Sequence, residues 1–179
     1  MQSKSVRRLV TLALLVAIAV ALCLLVRFPI FAAAPWLEYD AGDIPVIFAA
    51  FLFGPWWALA VTFVLCVIQG LTVSASGGVY GIIMHIIATG TFVLVAGLIY
   101  QRHKTKKAAL IALACGVAAW GLIMMPANLI VTPYFTGMPV DAIRALLLPI
   151  ILPFNLIKAG INAIVTFLVY KSVSPLLHR

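Results

Sequence analysis

The number of membrane helices in this chain depends on residues 44–68, IPVIFAAFLFGPWWALAVTFVLCVI. A helix that spans the hydrocarbon core of a bilayer needs about 20 apolar residues. The run is long enough for one kinked helix, or for two helices separated where Gly54 and Pro55 interrupt it. Glycine and proline weaken a helix interior, whereas proline suits the first turn of a new helix. The rest of the sequence decides between the two arrangements.

The positions of the basic residues decide between one helix and two, because cytoplasmic loops of membrane proteins carry an excess of Lys and Arg. The N-terminus carries Lys4, Arg7 and Arg8, and the most basic loop is QRHKTKK, residues 101–107. If both segments face the cytoplasm, the chain between them must cross the membrane an even number of times. One kinked helix would give three crossings, whereas two helices give four. The sequence therefore predicts that residues 44–68 form two helices.

The remaining apolar runs complete an all-α integral membrane protein. They are residues 9–26, 79–100, 108–125 and about 146–170. The tail, with Lys171 and Arg179, then returns to the cytoplasm. We therefore predict a single membrane domain over residues 1–179, with six transmembrane helices and both termini in the cytoplasm.

The composition excludes a water-soluble globular domain. The chain is 65% hydrophobic and 9% charged, whereas soluble domains are about 45–50% apolar and about 25% charged. The net charge of +8 comes from 12 Lys and Arg against 4 Asp and Glu. Because the basic residues cluster at the ends of apolar runs, we assign them to orientation in the membrane and expect no nucleic-acid partner.

The first apolar run has a second interpretation, as a cleaved signal peptide. It follows basic residues, and Ala32, Ala33 and Ala34 resemble a cleavage site. The run over residues 9–26 is, however, longer than the usual apolar core of about 7–15 residues. Arg27 also separates it from the alanines. We therefore expect a transmembrane helix here.

Polar side chains within the predicted spans lie almost entirely in the outer halves. The last span contains LPFNLIKAGINAIV, residues 152–165, in which Asn155, Lys158 and Asn162 share one helix face. A lysine inside a membrane is costly, so we expect Lys158 to contact a ligand or a buried partner. The other polar residues on this side are Gln69, His85 and Asn128, with Glu38, Asp40 and Asp43 in or beside the first outer loop. The pattern predicts a pocket that is open to the outside and closed below.

Some of these residues have simpler interpretations. His85 could be a packed histidine, and Asn162 could hydrogen-bond a neighbouring helix. The acidic loop residues could be a solvated surface. On the first helix, Ala13, Ala17 and Ala21 recur every four residues. Small residues at this spacing let another helix approach closely, although alanine is also a common helix filler.

Three elements together resemble the riboflavin-specific substrate-binding subunit, or S component, of energy-coupling-factor (ECF) vitamin transporters. They are YDAGDIPVIFAAFLFGP at residues 39–55, the alanine strip, and LPFNLIK at residues 152–158. The resemblance implies a multi-pass protein of a prokaryotic cell membrane that captures riboflavin, or its phosphate FMN, from outside. Riboflavin would be the transported ligand and not a cofactor. The implied partners are a transmembrane coupling subunit and two cytoplasmic ATPase subunits.

The resemblance also implies roles for individual residues. Asn128, Asn155 and Lys158 would contact the flavin and its ribityl chain, and the loop over residues 37–43 would help to cover the pocket. The alanine strip would dock on the coupling subunit. The complete set of expected substrate-binding residues is Leu37, Tyr39, Asp43, Gln69, His85, Asn128, Asn155 and Lys158.

The sequence contains none of the motifs that would make the chain an enzyme by itself. There is no GxxxxGK[ST], HExxH or GxSxG motif, and the cysteines form no CxxC pair or metal-ligand spacing. We therefore expect a binding subunit and neither an enzyme nor a metal site. Two alternatives stay open. One is an S component for a different vitamin or precursor, and the other is a membrane-embedded enzyme that uses His85 and Lys158.

Overall fold

The computed structural model describes residues 4–177 and is almost entirely helical. Its elements are α1 (Lys4–Leu25), β1 (Arg27–Pro29), β2 (Glu38–Asp40), α2 (Asp43–Phe53), α3 (Pro55–Leu71), α4 (Gly78–Arg102), α5 (Lys106–Thr136), α6 (Val140–Leu146) and α7 (Leu152–Leu177). A 3-10 turn at Ala75–Gly77 precedes α4, and a π-helical turn at Leu147–Ile151 joins α6 to α7. Arg179, which helps to orient the tail in the sequence-based topology, lies outside the described residues.

Residues 44–68 form two helices, as predicted. Gly54 separates α2 from α3 in the left-handed backbone region, at φ 92°. Residues with a Cβ rarely adopt that conformation, and the side chain of Gln101 lies where the Cβ would point. Pro55 takes the first position of α3, where a helix does not need its N–H. In the described part of the chain, the six predicted membrane helices correspond to α1 to α5 and α7.

The membrane helices other than α2 run between a basic end and an opposite end. At the basic end, the Arg8 guanidinium of α1 lies 4.4 Å from the ring centroid of Trp57 at the start of α3. Pro55 lies against Gly97 near the end of α4. The N-terminus of α1, the α2–α3 junction and the α4–α5 turn therefore share this end. The arrangement agrees with both basic segments lying on the cytoplasmic side.

Helix α2 is short and enclosed. Among the residues that the structure describes, four helical segments are able by length and composition to cross a membrane alone, and α2 is not one of them. Its 11 residues rise roughly 16 Å, about half of a hydrocarbon core of about 30 Å. Asp43 in its first turn accepts hydrogen bonds from Thr89 of α4 at 2.7 Å and from Asn162 of α7 at 3.2 Å. Because both donors lie well inside their helices, α2 begins at mid-depth and fills the half of the bundle next to the basic end.

One helix boundary differs clearly from the prediction. The sequence predicts that the fifth span ends near residue 125, but α5 continues to Thr136, through Pro126 and Pro133. Proline is tolerated in membrane helices because neighbouring groups can satisfy the backbone atoms that it frees. The last long helix begins at Leu152, next to Pro153 and inside the apolar run of about residues 146–170.

The interior near the basic end is packed with aromatic rings. The ring centroid of Phe51 lies 4.3 Å from that of Tyr100 and 5.6 Å from that of Tyr170. The two tyrosine hydroxyls, both buried, hydrogen-bond each other at 2.9 Å. Buried polar atoms are normally paired in this way. The aromatic cluster belongs to the main hydrophobic core of the bundle.

Between α1 and α2 the chain forms an antiparallel hairpin, whose residues 27–42 we call the roof. Strand β1 pairs with β2 so that Arg27 lies opposite Asp40. The loop between the strands packs on α6 and on the start of α7 as a second apolar cluster. Its buried members are Ala34, Leu37, Ile143, Leu147, Ile151 and Phe154.

Candidate functional site

A cavity of about 260 Å³ lies between the roof and the helices at the end opposite the basic one. Apolar and aromatic side chains form most of its wall, among them Trp36, Leu37, Tyr80, Met84, Trp120 and Phe154. The polar side chains include Arg27, His85, Asn128, Thr132, Asn155 and Lys158. A mostly apolar wall with a few placed polar groups is typical of a site for a small organic molecule.

Lys158 forms a buried ion pair at the cavity wall. Its ammonium donates to Asp40 Oδ2 at 2.6 Å and to the backbone carbonyl of Glu38 at 3.3 Å. Both side chains of the ion pair are 4% exposed. The Asp40 carboxylate also accepts hydrogen bonds from Cys23 Sγ at 3.4 Å and from the backbone N–H of Gly42 at 3.1 Å. The contacts of Lys158 with Asp40 and Glu38 therefore connect the roof to α7.

The neighbours of Asp40 keep its carboxyl group ionised. Burial raises the pKa of Asp40, but the ammonium of Lys158, and after it His85, outweigh burial and hold that pKa well below its usual range. His85 Nε2 lies 3.7 Å from the Asp40 carboxylate. At neutral pH, Asp40 is therefore a charged partner for the lysine.

Asn155 and Asn128 have fixed amide orientations. Trp120 Nε1 donates to Asn155 Oδ1 at 2.8 Å, and Asn155 Nδ2 donates to the backbone carbonyl one turn earlier at 2.8 Å. An indole N–H can only donate, so the amide oxygen must face Trp120. The Asn128 Nδ2 likewise donates to the backbone carbonyl of Met124 at 2.8 Å, which fixes its amide, and Thr132 donates to its oxygen at 2.8 Å. Each amide keeps one N–H and one acceptor lone pair for a ligand.

Arg27 joins the roof to the α3–α4 turn at the rim of the cavity. Its Nε donates to the Glu38 carboxylate at 2.7 Å, and a second guanidinium nitrogen contacts the same carboxylate. A further N–H donates to the backbone carbonyl of Val73. The side chains of Arg27 and Glu38 are 21% and 34% exposed, so this contact is nearer to solvent than the Lys158 pair.

Most of the expected substrate-binding residues meet at this cavity. Those that line it are Leu37, His85, Asn128, Asn155 and Lys158. Tyr39, Asp43 and Gln69 are buried but do not line it.

The three residues outside the wall have other contacts. The Tyr39 hydroxyl donates to Asn162 Oδ1 at 3.0 Å, so Tyr39 joins Asp43 and Asn162 in a polar layer at the start of α2. Gln69 lies beside a separate small void of about 10 Å³. Among the residues that the structure describes, no three His, Cys, Asp or Glu side chains are grouped so that they could hold a metal ion.

Asp40, Trp36 and Trp120 are not among the substrate-binding residues that the sequence predicts. Lys158 limits the candidates for its partner to the 4 acidic residues of the chain, since a buried lysine needs one of them, but it does not distinguish Asp40 from the other three. No local pattern distinguishes the two tryptophans from membrane-interface aromatic residues.

The alanine strip of α1 lies on the outer surface of the bundle. Ala13, Ala17 and Ala21 are all exposed, whereas Leu12 and Ala19 on the other face are buried. The strip is therefore available to a helix that is not part of this chain.

The fold and the cavity define a class of protein: an integral membrane protein with a small-molecule site at the end opposite its basic loops. The sequence profile of one family, described as "ECF transporter, substrate-specific component", matches residues 7–170. The chain belongs to this family, and it is a multi-pass bacterial membrane protein.

Known relatives align over nearly the whole chain. It is 28% identical over 178 residues to the riboflavin transporter FmnP of Bacillus subtilis (strain 168), covering 95% of this chain and 93% of that protein. It is 28% identical over 179 residues to the riboflavin transporter RibU of Staphylococcus aureus (strain TCH60), covering 97% and 93%. A solved structure of the S component of a bacterial ECF transporter matches with a TM-score of 0.84 and 30% identity, covering 98% of this chain and 100% of that one.

Proposed function

We propose that this chain captures riboflavin, or FMN, from outside the cell and delivers it inward as the substrate-specific subunit of an ECF transporter. The observation that carries the proposal is the convergence of Asn128, Asn155 and Lys158 on one cavity, in a chain whose relatives are named riboflavin transporters. The chain would act by binding and release, without catalysing a reaction.

The chemistry of the cavity suits a flavin. An isoalloxazine ring is a flat, largely apolar body that would lie between the aromatic and apolar side chains. Its polar edge carries carbonyl oxygens, ring nitrogens and one N–H, and the ribityl chain carries hydroxyls. The free N–H and lone pair on each asparagine amide could bond that edge, and Lys158 has a third N–H beyond the two already used.

The residues outside the wall receive a supporting role in this proposal. Tyr39 and Asp43 would hold the floor of the site through Asn162 and Thr89. Gln69 would have no direct contact with the flavin. Leu37 and His85 would be part of the wall that surrounds the ligand.

Delivery would require partners. We propose that Ala13, Ala17 and Ala21 dock on a transmembrane coupling subunit, because three exposed small residues at four-residue spacing let a partner helix approach closely. Two cytoplasmic ATPase subunits would supply the energy, since this sequence has no nucleotide-binding motif.

The first test is the visible absorption spectrum of the protein purified in mild detergent, with mass analysis of any bound molecule. We expect a flavin spectrum with about one flavin per chain, or quenching of riboflavin fluorescence when riboflavin is added to protein that lost it. A colourless protein that does not quench riboflavin fluorescence would contradict riboflavin as the ligand.

Two other functions predict different results. An S component for another vitamin would leave riboflavin unbound but would be stabilised by a different compound in a thermal-shift screen. A membrane-embedded enzyme that uses His85 and Lys158, which line the cavity together, would lose activity in His85→Ala while still binding its ligand. Retained uptake by the His85→Ala variant would count against the enzyme.

A further inference from the structure

Two indole rings line the cavity, and their N–H groups differ. The N–H of Trp120 donates to Asn155 at 2.8 Å. The Nε1 atom of Trp36 is buried but has no hydrogen-bond partner among the described residues. Burying an N–H group without an acceptor carries a desolvation penalty, and such groups are uncommon in folded proteins.

The position of Trp36 at the cavity sets it apart from the other buried polar atoms without a partner. In the described part of the chain these atoms are Arg8 Nε, Trp36 Nε1 and Thr166 Oγ1. Neither Arg8 nor Thr166 lines the cavity, whereas Trp36 does. The unpaired donor therefore belongs to a residue of the site that the proposed function requires.

Packing holds the Trp36 ring in this position. Trp36 lies in the roof loop and packs against the apolar cluster that includes Leu37, Ile143 and Phe154. Its neighbours Pro35 and Leu37 also line the cavity. The ring is thus fixed by apolar contacts and needs no hydrogen bond within the protein to stay there.

We propose that the indole N–H of Trp36 donates a hydrogen bond to an acceptor atom of the bound ligand. The inference rests on the proposed function, and for a flavin the acceptor is a ring carbonyl, a ring nitrogen or a ribityl oxygen. Because an indole N–H cannot accept a hydrogen bond, Trp36 selects a ligand that presents an acceptor towards the roof. The roof then contributes to recognition as well as covering the site.

This role predicts opposite effects on the free and the bound protein. Trp36→Phe keeps an aromatic ring and removes the N–H. In the free protein the change removes an unpaired buried donor, so the melting temperature should stay the same or rise. In the complex the change removes a hydrogen bond, so riboflavin should bind about five- to tenfold more weakly.

The experiment measures thermal stability and the riboflavin dissociation constant for purified wild-type protein and for three variants. Trp56→Phe is the matched control, because Trp56 lies at the start of α3 and is 70% exposed; neither quantity should change. Trp120→Phe is the opposite case, because it leaves the Asn155 oxygen without its donor and should lower the melting temperature of the free protein. In 15N-labelled protein, riboflavin should shift the indole N–H resonance that is missing from the Trp36→Phe spectrum.

The outcomes separate the inference from the function on which it rests. If wild-type protein and Trp36→Phe bind riboflavin equally well, the inference is wrong and the proposed function stands. If Trp36→Phe lowers the melting temperature of the free protein as Trp120→Phe does, Trp36 has a structural role and the inference is again wrong. If wild-type protein binds no riboflavin, both are wrong.

Discussion

The buried pair of Asp40 and Lys158 makes the most direct prediction about stability. Their charged atoms are 2.6 Å apart, and both side chains are 4% exposed. Removing one partner of such a pair leaves an uncompensated buried charge, which costs about 3–5 kcal/mol. For a chain of this size, that loss lowers the melting temperature by roughly 6–20 °C. We expect this result for Lys158→Met and for Asp40→Asn, each measured on ligand-free protein in detergent.

The double variant tests whether the pair itself is responsible. With both charges removed, neither is left unpaired, and replacement of a buried pair by uncharged groups is often nearly neutral. The double variant should therefore be more stable than either single variant. The matched control is Arg144→Gln, since Arg144 pairs with Asp141 on the surface, where the side chains are 67% and 89% exposed. An exposed pair contributes only about 0–1 kcal/mol, so this variant should melt close to wild type.

Two results would refute the reasoning. One is a melting temperature for both single variants within about 2 °C of wild type, which corresponds to about 1 kcal/mol or less. The other is a double variant that loses the full sum of the two single losses, because independent losses mean that the two groups do not interact. Either result would mean that the roof is held by its apolar cluster and not by the ion pair.

Three further predictions concern other parts of the bundle. Gly42→Val should destabilise the protein by about 1–3 kcal/mol, because a Cβ at Gly42 would overlap the Cys23 thiol of α1. Gly160→Ala is the control, since a Cβ there meets open space and should not destabilise the protein. Thermal melting of both variants checks this prediction. Ala17→Trp should leave riboflavin binding intact but prevent co-purification with the coupling subunit and vitamin uptake; normal uptake would contradict the docking face. Arg27→Gln removes the contact between the roof and the α3–α4 turn. The variant should therefore bind and release riboflavin faster than wild type in stopped-flow fluorescence. Arg144→Gln should leave both rates unchanged.

The helices could be predicted from the sequence because each depends on local composition. Runs of apolar residues predict the spans, and the basic segments require the break at Gly54, which the structure has. The end of α5 could not be predicted from local composition. Pro126 and Pro133 would stop a helix in water, but in a bundle the neighbouring helices allow it to continue to Thr136.

The candidate site was harder to predict, because its contacts join distant parts of the chain. The sequence indicates that Lys158 needs a ligand or a buried partner. It does not indicate that the partner is Asp40, 118 positions earlier. Asp40 lies in a polar stretch between two spans, and on local grounds it could equally be a solvated loop residue. Asp40 becomes buried only when the hairpin folds against the helices.

The cavity itself follows from the break at Gly54. Because α2 has 11 residues and begins at mid-depth, it leaves the opposite half of the bundle without a central helix. The roof covers this space from the side of α1, while α4, α5 and α7 supply the walls. The polar residues gather at the same level, because the first turn of α2 brings the Asp43 carboxylate to Thr89 and Asn162. A continuous helix over residues 44–68 would fill this space with apolar side chains, so the glycine–proline pair that determines the helix count also determines where a ligand can bind.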